Sequence, residues 1–453
     1  MTRSVPPGPE SGWLGLRQSN EMRRDFLGFG ARMQKEFGDV VHFRLGPQAC
    51  YLLIHPEHVH EVLVRQAKKF RKAARFKRVF GRLHGAGLVT GDGDRWAGRR
   101  RVVQPAFQPA RIAAYAGAVV RLTDEMVAVW PEQGEVDFAA EMRRLTLRIV
   151  ARTLFSASVD GHAIQIKAAV DEIQRWGFGE LNRVVATPAW LPLIGRSKAR
   201  RAFQLLNELV GRIIRERRGA ATRHADLLDQ LLDAPGLSDR DVRQEVVSLL
   251  VAGHETVAVA LTWAGTLLAR HPNVQSRTAD AAAETFGDCA SDSADLAQLA
   301  PVEQAFRETV RLYPPVYLFS REIAEPVLIG GYAMSPGSQV FLSPYLTQRD
   351  ARWHADPDTF DPLRFTPENE RRQPACAWFP FGAGPHACVG RGFAQAEATL
   401  VLARLLRRYR LEPVPGQQNP EPEARMLLRP KEGLRLTVRR HSGVDLRDQR
   451  EYG

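Results

Sequence analysis

The chain has 453 residues, 44% of them hydrophobic, four cysteines and a net charge of +12. Length alone would suggest two or three domains; the apolar share supports a large core and excludes general disorder, and four cysteines without paired spacing exclude a disulfide framework and suit a reducing compartment. The positive charge could serve nucleic acid, but the arginines are scattered through helical segments and form no basic arm, so nucleic-acid binding is not expected.

In chain order, the amino terminus lacks a long apolar run and reads into Pro6-Pro7-Gly8-Pro9, so no membrane anchor is expected and a cytoplasmic location follows. Residues 40–45 and 51–54 are β-rich runs separated by Gly46-Pro47, which predicts a hairpin, and Pro56-Glu57 opens a helix. Beyond about residue 109 the apolar spacing is helical, as in 145–154 and 202–217, so helix should dominate. Four basic residues, Arg196, Lys198, Arg200 and Arg201, read as a solvated loop face.

The run 238–271 is long enough for a helix of about 50 Å, with Ser238 as N-cap, Asp241 at N3 and Pro272 as its stop. Inside it, Ala252-Gly253-His254-Glu255-Thr256 places small residues and a hydroxyl on one face, which predicts a groove. Gly253 costs about 1 kcal/mol against alanine there, so a compensating reason is expected, and His254 is taken to face away. Further on, Glu308 and Arg311 can pair at i,i+3. Near the end, 427–430 and 434–438 flank Lys431-Glu432-Gly433 as a hairpin, and 441–453 reads as a charged, frayed tail.

The decisive segment runs from Phe381 to Gly390, FGAGPHACVG, with one cysteine in a glycine-rich, aromatic-led loop before an apolar helix. Such a loop can hold haem iron through the Cys388 thiolate, with Gly384 and Gly390 allowing close backbone approach, Phe381 walling off the sulfur and His386 donating to a propionate. The other cysteines, Cys50, Cys289 and Cys376, read as small buried hydrophobes.

This loop matches F-x-x-G-x-[HR]-x-C-x-G and resembles the cysteine-ligand loop of the cytochrome P-450 monooxygenases. The AGHET stretch is similar to that family's oxygen-activating [AG]-G-x-[DE]-T motif, although Val257 stands where many members carry a second hydroxyl. The resemblance implies a mainly α fold with small β-sheets, residues 1–440 forming one domain, and haem b (iron protoporphyrin IX) held between the long oxygen-binding helix and the cysteine-loop helix. Cys388 is then the metal ligand. Trp96 and Arg100, from a W-x-x-x-R helix, Arg321 and His386 hold the propionates. Ala252 and Gly253 border the cofactor, and Thr256 and Glu255 are the catalytic alcohol and acid. Glu308, Arg311 and Arg364 are implied to form a buried structural triad.

The implied activity is insertion of one oxygen atom of O2 into an apolar small-molecule substrate, such as a lipid, terpenoid or polyketide. No redox module is visible in the sequence, so electrons would come from a separate ferredoxin or flavodoxin with its reductase. The expected pocket comprises residues 83–89, 176–194, 249–252, 316–319 and 426–428. Within the same fold a peroxygenase or haem isomerase remains open, and outside it a non-catalytic haem sensor.

Overall fold

A computed structural model describes residues 5–441 except 11, 13, 86, 184–193 and 287–295. The expected tail, Cys289 and most of the 176–194 pocket segment therefore lie outside the described residues.

The β-rich runs near the amino terminus form the hairpin that their composition predicts. Val40–Leu45 pairs antiparallel with Gln48–Leu53, Leu45 opposite Gln48, and Gly46 adopts a φ of 61° in the turn. The sheet does not stop there. Gln339–Leu342 adds to the second strand in parallel, Phe319–Ile323 pairs antiparallel with that, and Phe70–Arg71 closes the edge. Residues far apart in the sequence thus build one five-stranded sheet, with Val41, Leu53, Val340 and Leu342 fully buried in it.

The rest is mostly helical. Asp239–Arg270 is the central helix, opened by a capping box in which the Ser238 hydroxyl accepts from the Asp241 N–H while the Asp241 carboxylate accepts from the Ser238 N–H. From Val257 to Ala269 every residue is buried, the pattern of a helix surrounded by protein. Among the described residues it alone is apolar and long enough to cross a membrane, and most of that surface is spent on packing. The Phe138–Phe155 helix runs antiparallel beside it: a Cβ on Gly253 would lie 3.3 Å from Val150, and one on Gly265 only 2.5 Å from the Phe138 ring. Gly265 thus stands where the two helices touch, while at Gly253 the neighbouring helix leaves only a tight fit for a methyl group.

Behind the sheet, the Ala300–Leu312 helix carries the predicted triad. Glu308 and Arg311 are fully buried and joined by two bonds, Nε to Oε2 at 2.6 Å and Nη2 to Oε1 at 2.8 Å, with Arg364 Nε at 3.3 Å. Burial pushes the Glu308 carboxyl up, against the pull of Arg311, the Asp361 N–H and Arg364. Arg311 also donates to the carbonyls of Gln348, Pro357 and Thr359, so one ion pair pins the chain that leads to the cysteine loop.

Two expectations are corrected. Residues 196–201 are not a loop but the start of the Ile194–Gly219 helix. The carboxy-terminal strands do not pair with each other: Leu428–Pro430 pairs with Pro422–Ala424, and Arg435–Arg440 lies between Gln133–Asp137 and Tyr409–Pro413. The turn at Gly433 exists, but long-range partners win. Trp263 Nε1 on the central helix donates to the Leu428 carbonyl at 2.9 Å, while Leu436 and Val438 enter the core between neighbouring strands.

Candidate functional site

The cysteine loop is shaped by its own backbone. Cys388 N–H donates to the Phe381 carbonyl at 2.9 Å and Ala387 N–H to Gly384 at 3.0 Å, while Gly382 and Gly384 take φ of 70° and 67°. A Cβ on Gly384 would meet the Leu63 carbonyl at 1.9 Å, so this glycine serves a close approach to the neighbouring chain. Gly390 has a φ of −90°, and a Cβ there would make an ordinary contact with Phe107, so nothing within the protein itself demands a glycine at this position. Phe381 is half-buried against Trp378.

Cys388 is accessible, yet it stands at the head of the largely buried Arg391–Arg408 helix. Enough protein surrounds it for burial to push the thiol up, against the Gly390 N–H and the guanidinium groups of Arg100 and Arg391. The thiolate would have to be stabilised by a bound metal.

A second accessible patch interrupts the central helix. Ala252 is exposed and Thr256, one turn on, is partly so, although 248–250 and 257–261 are almost wholly buried. The Thr256 hydroxyl donates to the Ala252 carbonyl at 2.8 Å. Gly253 does not share this face but meets Val150, so the groove is formed by Ala252 and Thr256 alone. Glu255 is buried, beside His254 Nε2 at 3.3 Å, Gln174 and Arg143. Burial pushes its carboxyl up, but His254, Arg143 and Gln174 outweigh this and hold it below the ordinary value. His254 itself is buried, unlike Ala252 and Thr256, with Nδ1 2.7 Å from the Leu250 carbonyl.

The predicted propionate residues converge. Trp96 and His386 pack ring on ring at 3.9 Å, Arg100 Cζ lies 5.6 Å from the Trp96 ring, and Arg100 Nη1 donates to the Ala387 carbonyl at 2.8 Å. Arg321 donates to the Ser320 carbonyl at 2.9 Å. The sequence reading missed Lys72, whose ammonium donates to the Leu88 carbonyl at 2.7 Å and is pushed down to about 7 by burial and by Arg321, with Asp92 opposing. Burial, Lys72 and Arg321 hold His386 at about 4, so it is neutral at pH 7 rather than cationic. Its Nδ1 is buried with no hydrogen-bond partner. Asp92 is the carboxylate set nearest this group and is shared with Lys77 and the Lys72 N–H, with Glu245 also acting on Lys72.

Partly buried basic side chains, with an orphan ring nitrogen among them, fit a ligand bearing two carboxylates, as haem does. Among the described residues no three His, Cys, Asp or Glu side chains gather as a metal site, so iron held at Cys388 needs a macrocycle for its other donors.

Comparison with known proteins agrees. The family described as Cytochrome P450 matches residues 6–438. The chain is 35% identical over 395 residues to "Cyclooctatin synthase" of Streptomyces melanosporofaciens, covering 85% of this chain and 86% of that protein. "Cyclooctat-9-en-7-ol 5-monooxygenase" of the same organism is 34% identical, with 84% of each chain covered. "Pentalenene oxygenase" of Streptomyces avermitilis is 32% identical, covering 83% of this chain and 84% of the relative.

Proposed function

The chain belongs to the cytochrome P450 family and is a haem-dependent monooxygenase using O2, an apolar substrate and electrons from redox partners, and we propose that its substrate is a cyclic terpenoid hydrocarbon or an alcohol derived from one. The names of the relatives support this class. We further propose that Cys388 ligates the iron, that Arg100, Arg321, His386 and Trp96, joined by Lys72, hold the propionates, and that residues 1–440 act as one domain followed by a charged tail. A cytoplasmic location and a ferredoxin or flavodoxin donor with its reductase complete the reading.

Bound haem supplies reductive activation of O2 and transfer of one oxygen atom to the substrate. The protein's part is positioning and proton control. The Phe381 carbonyl fixes the Cys388 backbone, and the Arg391–Arg408 helix starts directly after the loop. On the opposite side Ala252 leaves room beside the helix. Thr256 offers a hydroxyl whose proton is held by the Ala252 carbonyl, so its oxygen is free to accept from, and its proton to turn toward, a group in the groove. Glu255, one residue earlier, is the acid that refills it.

The accessibility of Ala252 and Thr256 within a largely buried helix, and of Cys388 just before another, carries this reading. Its test is the spectrum of the reduced protein under CO. The parent should give the strongly red-shifted Soret band of thiolate ligation and Cys388→Ala should lose it; a histidine-type band in the parent overturns the assignment. Titration with cyclic terpenes should then shift the ferric spin state, and a response only to fatty acids would replace the substrate class.

A further inference from the structure

Both backbone polar groups of Leu88 are held by side chains from elsewhere in the fold. Its N–H donates to the Glu245 carboxylate, 3.2 Å from Oε1 and 3.4 Å from Oε2, and its carbonyl accepts from the Lys72 ammonium at 2.7 Å. Leu88 belongs to no helix or strand, so its N–H has no ladder to join and the carboxylate takes the place of one. The turn 87–91 is closed by the Gly91 N–H, which donates to the Gly87 carbonyl at 2.8 Å. Gly87 presses on the central helix, since a Cβ there would run into the Glu245 carboxylate.

Glu245 is 1% exposed and precedes Leu249, Ala252 and Thr256 by four, seven and eleven residues, so all four share one face of the central helix. At 1.5 Å per residue Glu245 stands roughly 10 Å along the axis from Ala252. The turn is therefore docked at the end of the same face that opens as the groove. Arg99, on the helix that carries Trp96 and Arg100, stands with Nε 3.9 Å from the Glu245 carboxylate and pairs with Asp241 at 2.6 Å, one helical turn earlier. Leu88 packs on the main core, whereas Val89 is half-buried and joins none of the buried apolar clusters among the described residues.

We propose that Glu245 is a positioning residue that sets specificity: by holding Leu88 it fixes the turn 87–91 as one wall of the groove, and the place of that wall decides which apolar molecules fit beside Ala252. This deepens the reading above and rests on it for haem beside the groove, but not for the terpenoid class. The role asks only for a hydrogen-bond acceptor, which a carboxyl group offers with or without its proton. Lys72 ties the same residue to the propionate group, so substrate wall and cofactor site are joined through one turn.

The first measurement is amide hydrogen exchange of the haem-loaded protein without substrate, read residue by residue by mass spectrometry. The Leu88 amide should exchange about a hundredfold more slowly than an open amide in the parent and in Glu245→Gln, and Glu245→Met, which fills the space without an equivalent acceptor, should lose about tenfold of that protection. An unprotected Leu88 amide in the parent overturns the proposal, whether or not a variant folds. Optical titration with two iron-binding probes follows: imidazole reads the haem iron alone, while clotrimazole carries the same ring on a bulky apolar body and reads the groove as well. Glu245→Met should weaken clotrimazole about tenfold and imidazole by no more than about twofold, and Glu245→Gln should restore the parent's ratio. Equal losses for the two probes in Glu245→Met, or a Glu245→Gln that behaves as Glu245→Met, overturn the proposal. Failure of imidazole to bind the parent overturns the haem reading and this inference with it. Neither probe is a terpenoid, so a wrong substrate class does not alter the result.

Discussion

His354 shows what one buried titratable side chain does to the whole. It is 2% exposed, hydrogen-bonds the Ala377 carbonyl at 3.2 Å in the chain leading to the cysteine loop, and is pushed down to about 4 chiefly by burial, with Arg311 and Arg364 adding to the push. The folded protein therefore keeps it neutral where the unfolded chain, titrating near 6.5, already binds a proton. Stability should fall as pH drops from 6.5 toward 4, by about 3 kcal/mol in all, and level off below. Urea midpoints across that range check this, and His354→Gln should flatten the slope; an unchanged slope in the variant would sink the idea. Which residues matter was legible only where type and spacing suffice. Cys388, Glu308 and Arg311 announce themselves by motif. Lys72 does not, because its place depends on Asp92 and Leu88 being set against it by the fold. Glu397 is a further case, fully buried with neither carboxylate oxygen bonded, held neutral by burial, and indistinguishable in the sequence from a surface glutamate.

Elements were legible where local signals set them. Ser238 and Asp241 fixed the start of the central helix, and Gly46 the first hairpin. Pairing between distant strands has no local signal, which is why the sequence does not show that Arg435–Arg440 pairs with residues 133–137 and 409–413 and leaves Leu428–Pro430 to Pro422–Ala424. The two glycines of the central helix separate propensity from packing. In Gly265→Ala the new methyl would enter the Phe138 ring, and the variant should lose about 2 kcal/mol. In Gly253→Ala the contact with Val150 is marginal, and the propensity gain of about 1 kcal/mol should nearly offset it. Thermal melts of the two variants give the comparison; equal losses would mean that helix contact is not what requires Gly265.

For the whole molecule, the surplus of 63 basic over 51 acidic side chains gives a field that attracts acidic proteins. The rate of reduction by an acidic donor should therefore fall as ionic strength rises from about 0.05 to about 0.3 M, while the spin-state affinity for an apolar substrate stays flat. Stopped-flow reduction and optical titration at the same salt concentrations check both, and a salt-independent reduction rate would remove electrostatic steering from the account.

The five-stranded sheet carries a consequence for the newborn chain. Its second strand, Gln48–Leu53, waits for a parallel partner, Gln339–Leu342, that lies roughly 300 residues downstream. Until that segment leaves the ribosome, the amino-terminal hairpin has an open edge, the condition in which strands join strangers. The sheet is begun first, yet it cannot be completed until residue 342 has been made. Biogenesis thus depends on protection of residues 40–53 through most of synthesis, and a chain released early fails at its beginning.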